Sequence, residues 1–190
     1  MKPGEVERAY RQLREGGFGQ LLPKVTRIDS CIGLDPGPAT GLCFLDYSEG
    51  KLVGRTLLQA DGGSAPVVLQ GMLRAYYEGS GQVIAKRVGS VEKFVTGRSA
   101  GSLGGSADVT RQLVMELAEV LQLFGYHVSI RPAADVKPWA SDKRLTAAGI
   151  VTGAMHGDMN HAYDAARHCL YGARDAGVIV DPLRRDAPGV

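Results

Sequence analysis

The pattern of apolar and polar positions divides the chain into short strands first and helices later. Cys31 to Leu34 is a short apolar run with no helical period, and it ends on Asp35. Leu42 to Leu45 is a second such run, separated from the first by Asp35-Pro36-Gly37-Pro38-Ala39-Thr40-Gly41. Pro36 removes a ladder donor, and Gly37 and Gly41 permit backbone angles closed to other residues, so the segment predicts a rigid β-hairpin. The pattern gives strands over 31–35 and 41–46, a turn at Ser48-Glu49-Gly50 and a third strand over 51–59. These three form an antiparallel meander.

Beyond the meander the period changes. Val68, Leu69, Met72, Leu73 and Tyr76 recur at helical intervals and predict a helix over 65–77. Val88, Val91 and Val95 then mark a strand over 83–95. The Gly- and Ser-rich run 97–106 reads as a mobile loop. After it, Val109, Leu113, Leu117, Val120, Leu121 and Phe124 share one helical face that stops at Gly125, with Ser106 or Asp108 as the expected cap. A strand over 126–131, a short element over 135–145 and a helix over about 160–175 complete the pattern. Residues 4–15 carry Val6, Tyr10 and Leu13 on an amphipathic helix that ends at Gly16-Gly17. The expected organisation is an N-terminal helical arm over 1–29, one domain over 30–180 and a flexible C-terminal tail over 181–190. No internal repeat is apparent.

Composition narrows the function classes. At 190 residues and 44% apolar, the chain can fill one core. No stretch approaches the roughly 18 apolar residues of a transmembrane helix, and the first residues lead into a charged segment rather than a signal-peptide core, so the expected setting is the cytoplasm, with no membrane partner. Cys31, Cys43 and Cys169 are odd in number and lie in apolar segments, which favours reduced core thiols over disulfides or a zinc knuckle. A net charge of +2 identifies no partner, but Lys86-Arg87, Lys93, Arg98, Arg111, Lys137 and Lys143-Arg144 gather near the polar positions of interest.

An acid on a rigid hairpin can hold a metal ion with little loss of side-chain freedom, provided distant acids meet it. Glu92, in the fourth strand, is one candidate. The run His156-Gly157-Asp158-Met159-Asn160-His161-Ala162-Tyr163-Asp164 at the start of the last helix supplies others. His161 and Asp164 are three residues apart and share a helix face, about 60° apart. Capping by Asp158 or Asn160 is the favoured reading of those two, over a fourth carboxylate. Taken singly, Asp35 is a turn residue and Glu92 a solvent-facing strand residue. His156 and His161 have the wrong spacing for a zinc-protease helix and no adjacent Glu.

Three segments together resemble the RuvC-like Holliday junction resolvases of the ribonuclease H superfamily, particularly versions encoded by phages of actinobacteria. They are Ile32-Gly33-Leu34-Asp35-Pro36-Gly37-Pro38-Ala39-Thr40-Gly41, Val91-Glu92-Lys93-Phe94 and His161-Ala162-Tyr163-Asp164-Ala165-Ala166-Arg167-His168. The resemblance spans most of 30–180 and implies an α/β fold of ribonuclease H type: a mixed five-stranded sheet, three strands in the antiparallel meander and the others parallel, flanked by helices. It also implies that Asp35, Glu92, His161 and Asp164 are catalytic and bind two divalent ions, Mg²⁺ or Mn²⁺. Many relatives carry Asp where His161 stands, and manganese accepts that nitrogen more readily than magnesium.

The implied reaction is paired hydrolysis of phosphodiester bonds in four-way DNA junctions. Two ions about 3.5 to 4 Å apart can activate a water and stabilise the leaving oxygen. Asp35 would bridge them, with Glu92 on one ion and Asp164 on the other. Lys93, Arg98 and Ser99, Arg111, Lys137, Lys143 and Arg144 are the expected DNA contacts, through phosphates rather than bases. Trp139 follows Pro138 and reads as packing before base stacking. The two-fold symmetry of a four-way junction implies a homodimer.

Other readings stay open. Related folds process flaps, forks or structured RNA, and an inactive binder of branched DNA is a further possibility. An actin-like nucleotide-binding protein would need two lobes and a second phosphate loop, neither of which the sequence contains, so no nucleotide cofactor is expected.

Overall fold

A computed structural model describes residues 27–79, 83–95, 104–153 and 157–184. In chain order the elements are β1 (Arg27–Asp35), β2 (Ala39–Ser48), β3 (Lys51–Asp61), α1 (Ala65–Gly79), β4 (Val83–Glu92), α2 (Gly104–Leu123), β5 (His127–Arg131), α3 (Ala133–Val136), α4 (Asp142–Ala147) and α5 (Asn160–Asp175). The sheet has five strands in the order β3-β2-β1-β4-β5. β1 pairs antiparallel with β2, and β2 with β3. β4 lies parallel to β1 and to β5. This is the predicted mixed sheet flanked by helices, with β1 at its centre. No helix among the described residues is long and apolar enough to cross a membrane.

The alternation of β1 assigns its two faces. Ile32 and Leu34 join Leu42, Leu69, Leu73, Leu117 and Leu121 in a core beneath α1 and α2. Cys31 joins Cys43, Leu45, Ala165, Ala166, Cys169 and Leu170 in a second core beneath α5. All three cysteines are free and buried, as expected of core thiols. Gly33 points at α5, where an added Cβ would overlap the carbonyl oxygen of Ala165 and crowd Cys169. Gly41 of β2 meets the carbonyl of His161 in the same way. With no side chains at these two positions, the helix backbone rests directly on the sheet backbone.

Several boundaries differ from the pattern. β1 reaches back to Arg27, and β4 ends at Glu92, after which the Lys93 amide donates to the Arg131 carbonyl at 2.8 Å. Helix α2 begins at Gly104, taking up the last residues of the expected Gly-Ser loop. Ser106 and Asp108 therefore lie inside the helix and do not precede it, and Asp108 pairs with Arg111 at 2.6 Å. The short element over 135–145 is two helices, α3 and α4. Asp181, where the tail was expected to begin, is held by the Arg144 guanidinium at 3.0 and 2.9 Å. The helix expected over 4–15, the loop residues 97–103 and the last six residues lie outside the described residues.

The α1/α2 face also carries a buried polar group. Asp46 of β2 sits opposite Ser30 of β1, and both are almost fully buried. Burial pushes the Asp46 carboxyl up from the ordinary 3.8 to about 6, against hydrogen bonds from Tyr76 and Ser30 that favour its charge. Ser30 Oγ also lies 3.0 Å from the Tyr126 hydroxyl.

Two outcomes are expected. Gly33→Ala should cost at least about 2 kcal/mol in urea unfolding, because the contact is with backbone that cannot give way. For Asp46, the folded state keeps a proton that the unfolded chain has released between pH 3.8 and about 6, so stability falls as pH rises through that window. Unfolding of Asp46→Asn at pH 4 and pH 7.5 should therefore show a smaller loss than the parent protein. An unchanged loss would mean that Asp46 ionises freely.

Candidate active site

β1 and β4 run parallel and end side by side, Leu34 pairing with Val91, so Asp35 and Glu92 emerge together at the carboxyl ends of adjacent strands. Period-2 alternation puts both on the α5 side, Asp35 in step with Gly33 and Glu92 in step with Ser90 and Val88. The turn after Asp35 is fixed by Thr40, whose hydroxyl donates to the Gly37 carbonyl at 2.9 Å and accepts from the Gly37 amide at 3.3 Å. The start of α5 lies over this point, and His161 Nδ1 is 2.7 Å from Asp35 Oδ2. The Asp35 side chain is only 12% exposed, against 47% for His161, so the pair is open from the imidazole side.

Asp164, one turn further along α5, receives Lys137 Nζ at 2.8 Å and Arg167 Nη1 at 2.6 Å. Arg167 also bonds Asp142 through its other terminal nitrogen. Glu92 Oε2 lies 3.1 Å from Nε2 of His168, a fully buried imidazole on the same helix. The acids act on one another. Burial pushes Asp35 up from 3.8 to about 6; the His161 hydrogen bond opposes this, and the negative charges of Glu92 and Asp164 add to it. Burial works against the Lys137 ammonium, yet its pKa is raised, through the Asp164 hydrogen bond and the charges of Asp164, Glu92 and Asp35. Asp35 and His161 are in direct contact, and the charges of Glu92 and Asp164 reach Asp35.

His168 and Arg167 stood in the quoted motif without a role. Their signal was helical spacing: His168 is two turns from His161, and Arg167 is three residues from Asp164. Gln59 of β3 is a further contributor. Its Oε1 accepts from the His161 amide at 2.9 Å and the Ala162 amide at 3.3 Å, and its Nε2 donates to the Asp158 carbonyl at 2.7 Å. The expected cap from Asp158 or Asn160 is not formed: the N-cap position is Met159, with no side-chain cap. Nothing in the sequence around Gln59 announces this role.

The predicted DNA contacts divide. Lys137 stands in the site on Asp164. Lys93 and Lys143 are exposed. Arg111 is exposed and paired with Asp108. Arg144 is committed to the fold, bonding Asp181 and the Trp139 carbonyl and lying 4.9 Å over the Trp139 ring. Trp139 packs edge-on against Tyr171, in keeping with its reading as a packing residue. Arg98 and Ser99 lie outside the described residues.

Among the described residues, no group of three or more His, Cys, Asp or Glu side chains is close enough to hold a metal ion as it stands. The chemistry of the donors nevertheless fits a hard divalent cation. Three carboxylates and one imidazole face one region, and the charges of Glu92 and Asp164 help to raise Asp35. Coordination would require the present contacts of Asp35 with His161, Glu92 with His168 and Asp164 with Lys137 and Arg167 to rearrange.

No family model matches the sequence, and the search of curated proteins finds no match. Solved structures do match. A structure of Thermus thermophilus RuvC in complex with a Holliday junction substrate is 16% identical and superposes with a TM-score of 0.56, covering 79% of this chain and 96% of that one. Another Thermus thermophilus RuvC structure, also 16% identical, gives 0.53 and covers 80% and 96%. This chain has the fold of the RuvC Holliday junction resolvase structures, with its acidic side chains gathered where β1 and β4 end beneath α5.

Proposed function

We propose that this chain is a divalent-metal-dependent endonuclease that resolves four-way DNA junctions by hydrolysing one phosphodiester bond in each of two opposed strands. The observation that carries this reading is that the charges of Glu92 and Asp164 reach Asp35 in a fold shared with RuvC structures. Asp35, Glu92, His161 and Asp164 would hold two ions, Mg²⁺ or Mn²⁺. When bound, the ions supply an activated water and stabilise charge on the attacking and leaving oxygens.

The residues of the chain have separate tasks. Asp35, nearly buried on the central strand, would be a ligand together with Glu92 and Asp164. His168 fixes the rotamer of Glu92 from below, and Arg167 fixes that of Asp164. Lys137 brings a positive charge to the place where a scissile phosphate would enter. Lys93 and Lys143, with Arg98 and Ser99, would contact flanking phosphates, and Arg111 would extend that track. A homodimer would present two such sites to a two-fold symmetric junction. The expected setting is the cytoplasm, in a host bacterium if the chain is phage-encoded.

Asp35→Asn should slow cleavage of a labelled four-way junction in Mn²⁺ at least about a hundredfold, while junction affinity stays within about twofold. Retained turnover would overturn the proposed role of Asp35. Three-way, flap and linear substrates run beside the junction separate resolution from general branch cleavage. Junction affinity should also fall steeply with salt, by about 0.9 log unit per log unit for each phosphate neutralised, and Lys143→Ala should make that slope shallower by about one contact. Binding that ignores salt would count against the phosphate track.

A further inference from the structure

We propose that Gln59 is a positioning residue that sets the first turn of α5 and thereby holds His161 against Asp35. Its consequence for catalysis rests on the function proposed above; its consequence for the helix does not.

The sheet register brings the necessary groups into one row. Asp35 pairs with Gly41, and Gly41 pairs with Gln59, so the three lie side by side across β1, β2 and β3 on the face covered by α5. Gly41 leaves a slot between two polar side chains, and the backbone of His161 drops into it. From one side of the slot, Asp35 takes the His161 imidazole at 2.7 Å. From the other, Gln59 takes the His161 and Ala162 amides at 2.9 and 3.3 Å and returns a hydrogen bond to the Asp158 carbonyl at 2.7 Å.

A helix start leaves several amides without intrahelical acceptors, and a side chain at the N-cap ordinarily satisfies one of them. Met159 occupies that position and makes no such bond. Gln59 meets this need from another strand, and its amide joins acceptor and donor in one group, so it ties both the chain entering the helix and the helix itself. The seat of α5 on the sheet does not depend on it. Ala162, Ala165, Ala166, Cys169 and Leu170 are buried, and Gly33 lies beneath Ala165 and Cys169. Loss of Gln59 should therefore loosen the first turn, where His161 sits, and leave the remainder of the helix in place.

The test compares the full chain with Gln59→Leu, which removes every contact, and Gln59→Glu, which keeps the acceptor and loses the donor. Amide hydrogen exchange followed by NMR reads the helix without DNA. In Gln59→Leu, exchange at His161 and Ala162 should accelerate about tenfold or more while Ala166 and Cys169 stay within about twofold, and Gln59→Glu should recover most of the protection. On a four-way junction, Gln59→Leu should lower kcat about tenfold with KM within about twofold, and Gln59→Glu should restore much of it. Unchanged exchange at His161, acceleration along the whole helix or failure of Gln59→Leu to fold would each overturn the local role. If the parent protein cleaves no branched DNA, the proposed function falls, and the exchange data still decide the role of Gln59.

Discussion

The structure depends on how closely α5 approaches the sheet. Gly33 and Gly41 remove the two side chains that would hold the helix off, and the small residues Ala162, Ala165, Ala166 and Cys169 are buried on the helix side. Contact between helix and strand backbones fixes height and rotation more firmly than interdigitated long side chains, because no rotamer change can absorb a displacement. His161 and Asp164 therefore arrive at a defined height above Asp35 and Glu92. The site is a consequence of packing before it is a matter of charge.

Charge then acts on that frame. Burial raises the cost of ionising Asp35, and the charges of Glu92 and Asp164 add to it; His161, His168, Lys137 and Arg167 contact the three acids. Each acid has at least one nitrogen donor from α5 or from the turn after α3. These contacts hold the carboxylates in place, and burial, more than the neighbouring charges, keeps the Asp35 pKa raised.

Much of this was legible in the chain because the signals are local. The short apolar runs 31–34 and 42–45, the turn at Ser48-Glu49-Gly50 and the helical period of 65–77 depend on near neighbours, and the last helix falls over Asn160–Asp175 as expected. Asp35 and Glu92 lie on the α5 side of the sheet because period 2 in β1 and β4 fixes which way each points, and His161 reaches Asp35 from the start of α5. What escaped depends on contacts distant in sequence. Gln59 lies 102 residues from His161, and no spacing rule connects them. The commitment of Arg144 to Asp181 was hidden for the same reason, since a basic residue beside Lys143 looks like solvent-facing charge until its partner is in view. The start of α2 was misplaced because glycine and serine promise irregular backbone locally, whereas Leu113 and Leu117 further along are buried and anchor the helix.

The wide separation of the acids along the chain bears on biosynthesis. Asp35 ends β1 and Asp164 lies within α5, the last described helix, so most of the described fold is synthesised before they can meet. A nascent or prematurely terminated product would carry the hairpin and the sheet but no complete acidic centre.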